Sequence, residues 1–137
     1  NTRYPQKHTD LIQYGVHCVG LDELLSTSDI VTIHLPLTNQ TRGIISAEKI
    51  NLMKESSIFL NTSRAELVDM PPLISRLDKY QNFLVGMDID VDCYHDLFTV
   101  ERDNLVVTPH IAGISIDAIK RMDLDLANYL IEMVNQL

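Results

Sequence analysis

The sequence predicts an α/β fold in which helices cover a parallel β-sheet. Five short apolar runs have the length and the β-branched content of buried strands. Segments of helix-forming composition separate most of these runs, and strand alternating with helix at this spacing is typical of the doubly wound class. No repeat, linker or low-complexity stretch divides the 137 residues, so one compact unit is expected.

The predicted elements follow in order along the chain. The apolar runs that predict strands cover residues 16–19, 30–35, 57–61, 84–89 and 105–108. The helix-forming segments cover residues 21–26, 47–53 and 71–80. Ser46 is the predicted N-cap of the second helix, and Pro71 suits the first turn of the third.

A long amphipathic helix is predicted at about 115–136. Apolar side chains recur there at three-to-four spacing, and Asp117 near its start complements the helix dipole. A helix of about 22 residues would be roughly 33 Å long, which exceeds what a small sheet needs for cover. Packing against the core is the favoured arrangement, and packing against a further domain or a partner is the alternative.

Charge and composition exclude several classes of function. The chain has 19 acidic and 11 basic side chains and a formal net charge of -8, which would repel nucleic acid and an anionic membrane surface. No apolar run reaches the roughly 20 residues of a membrane span, and no leader opens the sequence, so a soluble, cytoplasmic protein is expected. Cys18 and Cys93 lack CxxC spacing and are expected to be reduced thiols.

Polar and ionisable groups follow four of the predicted strands. Parallel strands end at one edge of a sheet, and the ligands of doubly wound proteins bind at that edge. We therefore expect a functional site built from the residues at the strand ends. These residues are His34-Leu35-Pro36, Asn61-Thr62-Ser63-Arg64, Asp88 and Pro109-His110.

Taken together and in this order, the strand-end segments resemble the D-isomer-specific 2-hydroxyacid dehydrogenases. The matching stretches are LDELL (21–25), SDIVTIHLPLT (28–38), TRG (41–43), NTSR (61–64), LVD (67–69) and TPHIAG (108–113). The resemblance implies a Rossmann-type sheet, with residues 1–137 as part of a dinucleotide-binding domain. It also implies an enzyme that uses NAD or NADP to interconvert a 2-keto acid and a D-2-hydroxy acid, and that works as a homodimer.

The resemblance also implies roles for single residues. Arg64 would hold the substrate carboxylate and polarise the 2-keto oxygen, and its planar guanidinium suits this role because it can donate two parallel hydrogen bonds. His110 would pass the proton that accompanies hydride transfer, since an imidazole titrates near neutrality. The positions that would line the cofactor are Leu35, Thr62, Ser63, Arg64, Asp88, His110, Ala112 and Gly113.

One motif of dinucleotide binding is absent from the sequence. The fold uses a G-x-G-x-x-G turn at a helix N-terminus, and the five glycines of this chain are isolated. The first strand, the glycine-rich loop and the substrate domain are therefore expected to be missing, and the isolated chain to be inactive. Asn1-Thr2-Arg3 stand near the position that distinguishes NAD from NADP, and the choice between the two stays open.

The acid that orients the histidine has two candidates. In the family it stands five residues after the motif aspartate, and counting from Asp88 reaches Cys93. A neutral thiol does not stabilise an imidazolium as a carboxylate does. Asp92, one residue earlier, is therefore the alternative partner of His110.

Two functions from other classes are kept as alternatives. The first is a nucleotide-responsive regulator or pseudo-enzyme on the same fold. Cys93 favours this alternative, whereas the presence of Arg64 and His110 argues against it, because a binding module has less need of both residues. The second is a divalent-metal site on an acidic loop.

The metal alternative uses Asp88, Asp90 and Asp92, which alternate and would share one face of a continuing strand. The spacing opens like an EF-hand loop. However, Cys93 and Thr99 stand where that loop needs a glycine and a bidentate glutamate, so no metal is expected.

Overall fold

Helices and parallel strands alternate up to the third strand, and a fourth strand and a C-terminal helix follow. The computed structural model describes residues 13–90, 94, 97 and 99–135. A single-turn 3-10 helix, Ala65–Leu67, lies between the second strand and the third helix. The named elements of the described residues are α1 (Leu21–Thr27), β1 (Ile30–Ile33), α2 (Ala47–Leu52), β2 (Ile58–Asn61), α3 (Met70–Lys79), β3 (Leu84–Asp88), β4 (Leu105–Thr108) and α4 (Ile116–Asn135).

The four strands form one parallel sheet in the order β1-β2-β3-β4. The register aligns the last residues of neighbouring strands: Ile33 pairs with Asn61, and Asp88 pairs with Thr108. All four strands therefore end at the same side of the sheet, which we call the carboxyl edge. The predicted α/β class with a parallel sheet and flanking helices is confirmed.

One face of the sheet carries the hydrophobic core. Alternate strand residues point to that face, as their period of two requires, and they pack against α1, α2 and α3. The opposite face is open among the described residues, since Ile30 and Val106 are 60% and 67% exposed there. The largest fully buried apolar side chains are Leu25, Ile50, Phe59, Leu67, Leu73, Leu77, Phe83 and Ile89.

Helix boundaries agree with the local chemistry of the sequence. Ser46 caps α2 as predicted, because its side-chain oxygen accepts a hydrogen bond from the Lys49 N–H at 3.5 Å. Pro71 lies in the first turn of α3, where no intrahelical partner for its nitrogen is needed.

The predicted strand at 16–19 is wrong. The chain has no regular secondary structure there, and both Val16 and Cys18 are exposed. β1 lies at the edge of the sheet and pairs only with β2 among the described residues. A strand on its own leaves its backbone N–H and C=O groups without partners, so an apolar composition alone does not make one.

The C-terminal helix α4 is amphipathic, but its favoured packing against the core is wrong. Its apolar side chains are exposed, from 43% for Ile119 to 73% for Ile116. Periodicity identifies an apolar stripe, yet it carries no information on which surface covers that stripe. Among the described residues, nothing covers it.

Arg76 of α3 is a buried cation that supports the fold. It is 6% exposed, donates a hydrogen bond to the Met53 carbonyl, and lies over the Tyr80 and Phe83 rings at 5.0 and 4.9 Å from their centroids. Burial lowers the pKa of its guanidinium. Its Nε has no hydrogen-bond partner among the described residues. The contacts of Arg76 are therefore structural and distant from the carboxyl edge.

Replacing Arg76 with alanine is expected to lower the free energy of unfolding by roughly 2–3 kcal/mol, because a carbonyl loses its donor and two aromatic faces lose a cation. Arg76→Met is expected to cost less, since it keeps the contact with the rings and removes the unpaired Nε. Urea unfolding followed by circular dichroism measures both. The control is Arg121→Ala on the exposed side of α4, which should change the free energy of unfolding by less than about 0.5 kcal/mol. If Arg76→Ala lost no more stability than this control, Arg76 would not support the fold.

Candidate active site

Two side chains predicted from separate motifs meet at the carboxyl edge. Arg64 follows β2 and His110 follows β4, and the two are 46 positions apart in sequence. The Nη1 atom of Arg64 lies 3.4 Å from Nε2 of His110. Both side chains are exposed to solvent, so a small molecule can reach them.

The contact fixes the direction of the hydrogen bond between these two groups. A guanidinium can only donate, so Nε2 of His110 is the acceptor in this contact. Arg64 Nη1 also donates to the Ser63 carbonyl at 2.7 Å. The site thus combines a planar cation that can bind a carboxylate with an adjacent ring that can gain or lose a proton.

Asn61 fixes the loop that carries Arg64. Its fully buried side chain accepts a hydrogen bond from the Ser63 N–H at 3.0 Å and donates to the Arg64 carbonyl at 2.8 Å. The Ser63 hydroxyl donates to the Ile33 carbonyl at 2.9 Å and ties the loop to the end of β1. The loop is therefore held on both sides of Arg64's backbone, which limits the positions its side chain can reach.

The loop that carries His110 has an unusual backbone. His110 has φ 54°, in the left-handed region, and its N–H donates to the Thr108 carbonyl at 2.9 Å. The buried carboxylate of Asp88, at the end of β3, accepts hydrogen bonds from this loop. Burial raises the pKa of Asp88, but the hydrogen bonds from Thr108, Ala112 and Ile111 outweigh it and hold that pKa below its ordinary value.

The other residues predicted to line the cofactor are distributed along the same edge. Leu35 is half-buried and helps to line a cavity of about 280 Å³ beside α1 and β1, together with Leu21, Leu24 and Ile44. At the other end of the edge, Ala112 and Gly113 are exposed, and a Cβ added to Gly113 would meet no atom within 4 Å. Thr62 is exposed between these two regions, and Ser63 is half-buried.

His34 lies just beyond the end of β1, although the predicted strand at 30–35 included it. β1 ends at Ile33, and the alternation of the strand places Thr32 and His34 on the open face. His34 is exposed, and its Nε2 lies 2.9 Å from the Thr32 hydroxyl.

Several predicted positions lie outside the described residues. These are Asp92 and Cys93, the two candidates for the acid beside His110, and the cofactor-selecting segment at 1–3. For the metal alternative, β3 ends at Asp88, so the strand that would align Asp88 with Asp90 does not continue. Among the residues that the structure describes, no three His, Cys, Asp or Glu side chains are grouped to hold a metal ion.

Comparisons with known proteins identify the family. A family model described as the NAD binding domain of D-isomer specific 2-hydroxyacid dehydrogenases matches residues 1–112. This chain belongs to that family. The match confirms the predicted family and the predicted cofactor class, a nicotinamide dinucleotide.

The relatives and solved structures agree with this result. The chain is 35% identical over 126 residues to the dehydrogenase efuE of Hormonema carpetanum, covering 88% of this chain and 30% of that protein. It is 37% identical over 120 residues to D-3-phosphoglycerate dehydrogenase of Escherichia coli strain K12, covering 82% of this chain and 29% of the enzyme. The D-lactate dehydrogenase of Aquifex aeolicus, solved with NAD and lactic acid, superposes with a TM-score of 0.73 at 26% identity, covering 93% of this chain and 44% of that one.

The chain therefore spans about 30% of the length of the curated relatives that it matches. In the part of the chain that the structure describes, no helix is both long and apolar enough to cross a lipid bilayer.

Proposed function

We propose that this domain works in an NAD(P)-dependent oxidoreductase that interconverts a 2-keto acid and a D-2-hydroxy acid. The observation that carries the proposal is the 3.4 Å contact between Arg64 and His110 at the carboxyl edge of the sheet. Named relatives of the chain are dehydrogenases, and one solved neighbour holds NAD together with lactic acid, a 2-hydroxy acid. A bound nicotinamide cofactor supplies the hydride in reduction and accepts it in oxidation.

Arg64 binds the substrate in this proposal. Its guanidinium engages the carboxylate by two parallel hydrogen bonds, which orients the neighbouring keto carbon before hydride transfer. One of its N–H groups also polarises the keto oxygen as negative charge develops there. The Asn61 and Ser63 hydrogen bonds support this role because they fix the backbone from which the guanidinium extends.

His110 moves the proton. In reduction, the protonated imidazole donates to the oxygen of the former keto group, and in oxidation the neutral imidazole takes the proton back from the alcohol. An imidazolium has no lone pair at Nε2 to accept from Arg64, so the protonated ring has to donate from that nitrogen to another group, and the substrate oxygen is the proposed acceptor. Asp92 or Cys93 is the proposed neighbour of this ring.

The residues along the carboxyl edge fit a dinucleotide. The cavity beside Leu35 is lined mainly by apolar side chains, which suits a flat base at one end. At the other end, next to His110, Ala112 carries only a methyl group and Gly113 has no side chain, which leaves room for the close approach of a nicotinamide ring. We propose Leu35, Thr62, Ser63, Asp88, Ala112 and Gly113 as the residues that line the cofactor, and a homodimer as the assembly.

The test is a substrate panel with the complete gene product. Oxidation of NADH and of NADPH is followed with pyruvate, glyoxylate, hydroxypyruvate and a bulky 2-keto acid. Turnover of at least one keto acid is expected, whereas the isolated 137-residue chain should show none. Cofactor binding without turnover of any keto acid would contradict the proposal and favour the regulator.

A further inference from the structure

A buried carboxylate at the end of β3 is bound by the loop that carries His110. Asp88 is 3% exposed. Its Oδ1 accepts from the Thr108 hydroxyl at 2.6 Å and from the Ile111 N–H at 2.7 Å, and its Oδ2 accepts from the Ala112 N–H at 2.9 Å. The three donors come from both sides of His110 in the sequence, so the loop folds around this one side chain.

The backbone of the loop is shaped to bind an anion. The N–H groups of Ile111 and Ala112, the two residues after the left-handed His110, donate to the two oxygens of the Asp88 carboxylate, and successive backbone N–H groups that face one anion stabilise its charge. A left-handed conformation is unfavourable for a residue with a side chain and persists only where the surroundings enforce it. The Asp88 carboxylate is the acceptor for the two N–H groups that follow His110.

We propose that Asp88 is a positioning residue that holds His110 in its left-handed conformation and so directs the imidazole towards Arg64. The proposal rests on the proposed function of His110 and adds to the predicted contact of Asp88 with the cofactor. Asp88 pairs with Thr108 in the sheet register, so β3 and β4 place the carboxylate directly under the loop.

Asparagine is the informative substitution because it has the same shape and lacks the charge. Three donors converge on the two carboxylate oxygens, so an amide nitrogen in either orientation opposes at least one donor. Asp88→Asn therefore loses one or two of the three hydrogen bonds, and it also loses the negative charge that strengthens the hydrogen bonds that remain. Asp103→Asn is the matched control, since Asp103 is exposed and precedes β4 at the opposite edge of the sheet.

The experiment measures kinetics and backbone protection in the complete gene product. In Asp88→Asn, kcat is expected to fall by about 10- to 100-fold because the imidazole is misplaced, while KM for the keto acid stays within about threefold because the hydrogen bonds with Asn61 and Ser63 still hold Arg64. Amide hydrogen exchange at Ile111 and Ala112 should accelerate at least about tenfold, with exchange in β2 unchanged. Asp103→Asn should change neither quantity.

Two results would overturn the positioning role of Asp88. One is unchanged amide exchange at Ile111 and Ala112 in Asp88→Asn, and the other is faster local exchange with kcat unaltered. Equal acceleration throughout the sheet would instead assign Asp88 a general structural role. If Asp88→Asn does not fold, Thr108→Val removes the hydroxyl donor alone and should lower kcat by a smaller factor in the same direction. A wild-type protein that turns over no keto acid contradicts the proposed function, while the exchange measurement still tests whether Asp88 holds the loop of His110.

Discussion

Replacing His110 with asparagine is expected to lower kcat for keto-acid reduction by about 10²- to 10⁴-fold, the usual contribution of a general acid. Asparagine is chosen because it tolerates the left-handed backbone that His110 adopts, so the loop should keep its shape. The loss then reports on proton transfer and not on folding. Steady-state kinetics at saturating cofactor and substrate measures it.

The control for this variant is His17→Asn, because His17 is exposed and lies in the segment before α1. It should leave kcat unchanged. Binding of cofactor, measured by fluorescence of NADH, should stay within about threefold of the wild-type value in both variants. A His110→Asn protein that retains most of its turnover would exclude the assigned proton donor.

Replacing Arg64 with alanine is expected to lower kcat/KM by about 10²- to 10⁴-fold. The estimate follows from two charge-assisted hydrogen bonds to the substrate carboxylate at roughly 1.5–3 kcal/mol each. Arg64→Lys keeps the charge and loses the planar pair of donors, so it should recover only part of the loss. The comparison separates simple charge attraction from orientation of the keto acid.

Arg121→Lys serves as the control for these variants, since Arg121 is exposed on α4 and its Nε donates to a carbonyl of its own helix. A second comparison uses a keto substrate without a carboxylate. Its slow turnover should fall by a smaller factor in Arg64→Ala, because that substrate loses only the polarisation of its keto oxygen and has no carboxylate for Arg64 to bind. Full activity of Arg64→Ala on 2-keto acids would remove Arg64 from the site.

The positions of the two main site residues could be predicted because each depends on local pattern and sheet geometry. Apolar runs identified the strands, and a parallel sheet must bring their carboxyl ends together. Arg64 and His110 stand directly after two such runs and come within 3.4 Å, although 46 positions separate them in the sequence.

The residues that fix the two loops were only partly identifiable from the sequence. Asn61 and Thr108 end apolar runs, and neither was assigned a role of its own there. A polar residue that closes an otherwise buried strand was the available signal, since a buried polar group must find hydrogen-bond partners nearby. The partners themselves depend on register and on the left-handed turn at His110, which no composition or periodicity reports.

The exposed stripe of α4 was also beyond prediction from the sequence. Its apolar period predicted a helix with one side to be covered, and core packing was the simpler outcome. The position of α4 depends on the whole sheet. α1, α2 and α3 pack on one face of the sheet, and α4 follows the loop of His110 without packing against these helices. Periodicity describes one helix, whereas packing depends on every neighbouring element.

Arg64 and His110 form the proposed site for D-2-hydroxy acids. The direct test is the rate of NADH or NADPH formation by the complete gene product from the D and the L enantiomer of one 2-hydroxy acid, with wild type, Arg64→Ala and His110→Asn in parallel. Turnover of the D enantiomer by wild type is expected, with little turnover of the L enantiomer and loss of the D rate in both variants. Equal oxidation of both enantiomers, or a D rate that survives either substitution, would exclude this site for D-2-hydroxy acids.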